Sequence, residues 1–127
     1  MAKYTTAEVA AMLRSGPGKV RNVAPRELRT YAGRIYHSKS EAKYAFELDR
    51  QKSIGMIWDW EPQIALPIRL NGIHICNVVV DFRVKAGPAC EWRYVEVKGF
   101  ETEIYKLKRK LLLAMYGKDF NYEVVKV

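Results

Sequence analysis

The chain has 127 residues, 49% of them hydrophobic and 28% charged. That is the composition of one globular domain with a real core, not of a disordered segment. Two cysteines, Cys76 and Cys90, exclude a disulfide scaffold. No apolar run approaches the roughly 18 residues of a membrane span and no signal peptide is visible, so the expectation is a cytoplasmic protein with no membrane partner. Twenty-two Lys and Arg against fourteen Asp and Glu give a net charge of +8. The excess is uneven: net +5 over residues 1–50, +1 over 51–100 and +2 over 101–127. Basic surfaces attract polyanions, of which nucleic acid is the commonest.

In chain order, Thr5-Thr6-Ala7-Glu8 fits a capping box, followed by a short apolar stripe of Val9, Met12 and Leu13. Gly16-Pro17-Gly18 ends that helix, and no second helix follows at the spacing of a helix-turn-helix. Residues 16–36 then read as an irregular basic surface arm carrying Lys19, Arg21, Arg26, Arg29 and Arg34. Residues 1–32 are accordingly expected to form an N-terminal helix and basic arm, and residues 33–127 the main domain.

A second helix is predicted over residues 40–53, with Ala42, Ala45, Phe46 and Leu48 on its apolar side and Gly55 as its stop. Residues 63–70 read as a strand in which Pro67 suggests an edge or a bulge. Asn71-Gly72 is a two-residue hairpin signal. Residues 73–84, rich in β-branched side chains, form the returning strand; Gly87-Pro88 turns the chain into a third strand over 92–98. Thr102 can cap a helix to Tyr116, with Ile104, Leu107, Leu111, Ala114 and Met115 expected to face the core and Gly117 as its stop. Residues 121–127 supply a last strand. The fold class expected is α/β: a mixed sheet flanked by helices.

Charged side chains interrupt two strands that otherwise look buried. Asp81 follows Val78-Val79-Val80, while Glu96 and Lys98 alternate with Val95 and Val97 and so share one face. A turn centred between Pro88 and Ala89 sets Asp81 opposite Glu96; any odd-sum register groups Asp81, Glu96 and Lys98, and a one-residue slip separates them. Two adjacent carboxylates repel unless a cation lies between them. A hard ion such as Mg²⁺, with Mn²⁺ as a substitute, suits oxygen ligands and can activate water or polarise a phosphoryl oxygen. Lys98 could position that water or stabilise developing charge. The competing explanation is a cross-strand salt bridge. Glu41 belongs to a capping box, Ser38-Lys39-Ser40-Glu41, but also shares the apolar stripe of Ala45 and Leu48, where a carboxylate needs a partner. Both roles are open for it.

The ordered segments Gly33-Arg34-Ile35-Tyr36-His37-Ser38-Lys39-Ser40-Glu41-Ala42, Glu61-Pro62-Gln63, Asp81-Phe82, Tyr94-Val95-Glu96-Val97-Lys98-Gly99, and Thr102 with Tyr105-Lys106-Leu107-Lys108-Arg109-Lys110 resemble phage and prophage proteins of the PD-(D/E)xK nuclease superfamily. The resemblance covers residues 33–116; Val80 stands where the superfamily's naming proline would be. It implies a restriction-endonuclease-like αβββαβ core. It also implies that Asp81, Glu96 and Glu41 bind metal, that Lys98 assists catalysis, and that the protein acts in a bacterial host. The activity implied is a metal-dependent DNA endonuclease similar to Holliday-junction resolvases, which would act on branched DNA as a homodimer. An exonuclease or flap nuclease, or a non-catalytic basic DNA-binding protein, are the alternatives. Lys106, Lys108, Arg109, Arg34 and Lys39 are the candidate DNA contacts, Lys108 foremost because of its proximity to Lys98. His37 is expected to pack or cap, the Trp58/Trp60 pair to anchor the core, and Gln63 either to approach the site or to bond backbone.

Overall fold

The computed structural model describes residues 23–117 and 119–127; the expected first helix and Lys19 and Arg21 lie outside them. A 3₁₀ turn, Arg26–Arg29, leads into a small hairpin of β1 (Thr30–Tyr31) and β2 (Arg34–Ile35). Helix α1 (Lys39–Ser53) follows, then the strands β3 (Asp59–Leu70), β4 (Ile73–Lys85) and β5 (Trp92–Lys98), helix α2 (Glu103–Tyr116), and β6 (Tyr122–Lys126). The main sheet has the order β3-β4-β5-β6, antiparallel except for the parallel β5–β6 pair joined through α2. From α1 onward this is the αβββαβ order, a mixed sheet flanked by helices. Among the described residues no helix is long and apolar enough to cross a membrane.

Local chemistry explains the elements. Ser38 caps α1 by accepting the Glu41 N–H at 3.1 Å, and Ala42, Ala45 and Leu48 bury one stripe of it. Asn71 and Gly72 both take positive φ, 51° and 78°, the two left-handed residues that a tight hairpin turn demands. Pro62 and Pro67 are tolerated because β3 is an edge strand; a register shift follows at Ile68/Arg69. Gly117, at φ 88°, ends α2.

The core is divided. Phe82, Val84, Val95 and Val97 pack with Tyr36, Ala42, Ala45 and Leu48 beneath α1. Val78 and Val80 pack instead with Leu66, Ile68 and Leu112 beneath α2. Asp81 lies between Val80 and Phe82, where β4 passes from one cluster to the other. Its expected ladder partner Gln63 is missing from the pairing between Pro62↔Phe82 and Ile64↔Val80, and takes a left-handed φ of 52°.

Three expectations are corrected here. The described part of the basic arm lies mostly on the surface but is not irregular, since it holds the 3₁₀ turn and the β1–β2 hairpin: Tyr36 is 2% exposed and packs against Phe82, and the Arg29 guanidinium donates to the carbonyls of Ala24 and Tyr36. The apolar stripe assigned to α2 is only partly its buried face: Leu111 packs against the core and Ile104 is half-buried, but Leu107 is 55% exposed, Ala114 and Met115 are also exposed, and the fully buried Leu112 lies outside the stripe. Leu112 shares its side of the helix with Tyr105 and Tyr116, whose aromatics have partners: the Tyr105 hydroxyl meets that of Tyr122 at 2.9 Å and the Tyr116 ring stacks on Phe120. Trp60 does anchor the core against Phe82 and donates its indole N–H to Asp49, but Trp58 is exposed.

Candidate active site

The β4–β5 ladder runs from Lys85↔Trp92 to Phe82↔Val95, a register whose next step sets Asp81 level with Glu96. That is the register expected from a turn centred between Pro88 and Ala89. The next hydrogen bond comes from a side chain: the Val97 N–H donates to Asp81 Oδ2 at 2.8 Å. This anchors the Asp81 carboxylate to the neighbouring strand.

Three carboxylates are buried together. Glu41, Asp81 and Glu96 are 5%, 6% and 2% exposed. The negative charge of Asp81 raises the carboxyls of both glutamates, so it acts as the centre of the group. Two oxygens, Glu41 Oε1 and Glu96 Oε2, are buried with no hydrogen-bond partner among the described residues. Leaving charged oxygens buried and unpaired costs several kcal/mol per group, on the order of the penalty for burying an isolated ion. The protein responds by favouring protonation. Burial pushes the Glu41 carboxyl up to about 7, helped by the negative charge of Asp81 and opposed by Ser38 and Lys98. Burial likewise raises that of Glu96 to about 8, again with Asp81 adding and Lys98 subtracting. Lys98 Nζ is 3.9 Å from Glu96 Oε2, and 4.6 Å from the centre of the Tyr105 ring. One ammonium cannot balance three ionised carboxylates, so their ionisation favours a further cation.

Both roles weighed for Glu41 are realised. Its N–H bonds the Ser38 hydroxyl oxygen, and that hydroxyl donates to Glu41 Oε2 at 3.2 Å, which leaves Oε1 directed at the site. Among the described residues, ligand atoms of His37, Glu41 and Asp81 all lie within 4.8 Å of one another, a group able to hold a divalent metal ion. Their donor set, two carboxylates and an imidazole, fits such an ion.

His37 is the residue that sequence reasoning missed. It neither packs nor caps: its side chain is 71% exposed, with Nδ1 3.8 Å from Glu41 Oε1. The signal was its position, one residue before the helix cap. Chain entry brings that residue back over the first helical turn.

Two clefts open onto the cluster. The larger, of about 730 Å³, is lined by His37, Lys39, Glu41, Asp81, Lys98 and Phe100 among others. The smaller, of about 230 Å³, is lined by Glu96, Lys98, Thr102, Tyr105 and Lys108 among others. Lys98 borders both. Of the candidate DNA contacts, Lys39 and Lys108 therefore line clefts. Arg34 donates to Gln63 Oε1 at 3.0 Å, which places Gln63 against a guanidinium, not backbone. Lys106 is paired with Glu103 and Arg109 with Glu101. Phe100, 73% exposed at the rim of the larger cleft, was not singled out from sequence.

No family model matches the chain, and no curated protein matches it significantly. What is established is an α/β fold carrying a carboxylate cluster and a His-Glu-Asp group capable of binding metal, consistent with a metal-dependent hydrolytic site.

Proposed function

We propose that the protein is a metal-dependent DNA endonuclease of the PD-(D/E)xK type, from its phage- or prophage-encoded branch, that cleaves branched DNA such as a four-way junction as a homodimer. The observation that carries this reading is the buried trio of Glu41, Asp81 and Glu96, with two unpartnered oxygens, beside Lys98 at the meeting of two open clefts.

Glu41, Asp81 and Glu96 would hold the metal, Mg²⁺ with Mn²⁺ able to substitute. A bound divalent ion would neutralise a phosphoryl oxygen and acidify an attacking water. The chain supplies the rest. Asp81 stays fixed because Val97 holds one of its oxygens. Lys98, bordering both clefts, can orient the water or donate to the charge that develops on the phosphate. Lys108 and Lys39 provide cations for phosphates on either side, and Phe100 offers a face on which an unpaired base could stack. With no element free to enter a groove among the described residues, recognition by DNA shape is favoured over sequence readout.

The test is a panel of end-labelled single strands, linear duplexes, flaps and four-way junctions, incubated with Mg²⁺ or with a chelator. The reading expects metal-dependent, paired, symmetric cuts in the junction. Cuts confined to ends or flaps would replace the resolvase role with an exonuclease or repair role; no cut in any substrate would leave a DNA-binding protein.

A further inference from the structure

We propose that His37 is a metal ligand that makes this a site for a first-row transition ion, binding Mn²⁺ in preference to Mg²⁺. The inference rests on the reading of Glu41 and Asp81 as metal ligands and specifies which ion they take.

The trio of carboxylates alone would suit Mg²⁺, which prefers oxygen donors in a near-ideal octahedron and gains little from nitrogen. An imidazole changes that preference, because nitrogen donors favour first-row transition ions. His37 is placed for this by its neighbours. Ser38 caps α1, which turns the preceding residue back over the helix start and brings its imidazole to the Glu41 carboxylate. The 3.8 Å separation of Nδ1 from Glu41 Oε1 is too long for a hydrogen bond. It is short enough for both atoms to reach one ion, since ligands about 2.1 Å from a metal stand up to about 4.2 Å apart.

A second observation points the same way. Glu41 Oε1 is buried, on a side chain only 6% exposed, and has no hydrogen-bond partner among the described residues. The side of the cluster that faces His37 thus holds a buried carboxyl oxygen without a hydrogen bond among the described residues. Glu96 does not belong to the His37–Glu41–Asp81 group; its own unpartnered oxygen lies toward Lys98. The nitrogen donor therefore bears on one part of the site.

The chain has two histidines, so the assignment can be read by spectroscopy. The other, His74, pairs with Asn77 on β4 at 2.9 Å. Mn²⁺ bound to the full-length protein should show nitrogen coupling from a single imidazole in its electron spin-echo spectrum. His37→Ala should abolish that coupling and His74→Ala should keep it. Calorimetric titration should show His37→Ala weakening Mn²⁺ at least roughly tenfold, the scale on which even the groups supporting a metal site are felt, while leaving Mg²⁺ affinity almost unchanged. Because His37 is largely exposed, its removal leaves the packed core untouched. Asp81→Asn separates the two levels of the reading. If it abolishes Mn²⁺ binding while wild type shows no imidazole coupling or His37→Ala binds Mn²⁺ normally, the His37 assignment is overturned and the metal site stands. If Asp81→Asn binds Mn²⁺ as wild type does, both are overturned.

Discussion

Asp81 Oδ2 accepts the Val97 N–H at 2.8 Å, so a site carboxylate takes the place of a main-chain acceptor where β4 and β5 part. The bond makes two substitutions at this position behave differently. Asp81→Asn can keep its carbonyl oxygen on Val97 and turn its amide NH₂ toward Glu41 and Glu96, which relieves carboxylate repulsion. The metal-free melting temperature should then rise or hold. Asp81→Ala leaves the Val97 N–H buried without a partner and should cost about 1–3 kcal/mol. Thermal melts of both variants in chelator check the order; a drop for Asn as large as for Ala would show that the carboxylate is not the repelled centre of the trio.

The raised carboxyls set a pH dependence. Glu41 and Glu96 ionise near 7 and 8 in the folded chain against an ordinary value of 4.5. A group whose folded value lies above its unfolded one contributes stability at low pH that is lost as pH rises through the folded value. Metal-free protein should therefore lose stability as pH rises from about 4.5, levelling off above about pH 8. Mg²⁺ or Mn²⁺ should restore it, most strongly at the alkaline end, because the ionised carboxylates are the ligands. Glu41→Gln/Glu96→Gln should flatten both effects. Melting curves across pH, with and without metal, provide the check; a metal-free stability that climbs from pH 6 to 9 in wild type relative to the double variant would contradict the account.

Lys98→Ala should lower the cleavage rate roughly 100-fold or more, the usual scale for losing one stabiliser of developing charge. Glu41→Gln retains the N–H bond to Ser38, so its helix cap should survive while metal affinity and rate fall together. Single-turnover rates, metal titrations and melting temperatures distinguish the outcomes: normal cleavage by Glu41→Gln would reduce that residue to a cap.

DNA binding should divide the basic residues by their surroundings. Lys108 lines a cleft beside Glu96 and Lys98, whereas Lys106 and Arg109 are held by Glu103 and Glu101. Lys108→Ala should weaken binding and reduce the salt dependence by about one phosphate contact, while Lys106→Ala should do little. Gel shifts across a salt series would reveal this, and equal losses for the two would remove the distinction.

Much of this was legible in the sequence because local rules and tertiary demands agreed. Asn71-Gly72 fixed one turn, and the Pro88–Ala89 turn centre gave the register that brings Asp81 to Glu96. Glu41 was found because a charge on an apolar helical stripe is a conflict that needs a partner. The rest failed where two patterns competed or none was visible. In α2 the aliphatic stripe and the tyrosine stripe both have helical spacing, and the hydroxyl and ring partners that decide between them come from residues 120 and 122, brought close by the fold. The β1–β2 hairpin is too short to show alternation, and Tyr36 is buried by a contact with Phe82 46 positions away. His37 reaches the site only through the angle at which the chain enters α1, which composition does not carry.

In the proposed function the Glu41–Asp81–Glu96–Lys98 cluster cuts DNA with a divalent ion. The most direct measurement is cleavage of a labelled four-way junction by wild type and Asp81→Asn side by side, in Mg²⁺, Mn²⁺ and chelator, with binding measured on the same samples. The account predicts cleavage by wild type only with metal, and binding without cleavage by Asp81→Asn. Equal cleavage by the two proteins, or cleavage by wild type that persists in chelator, would contradict it.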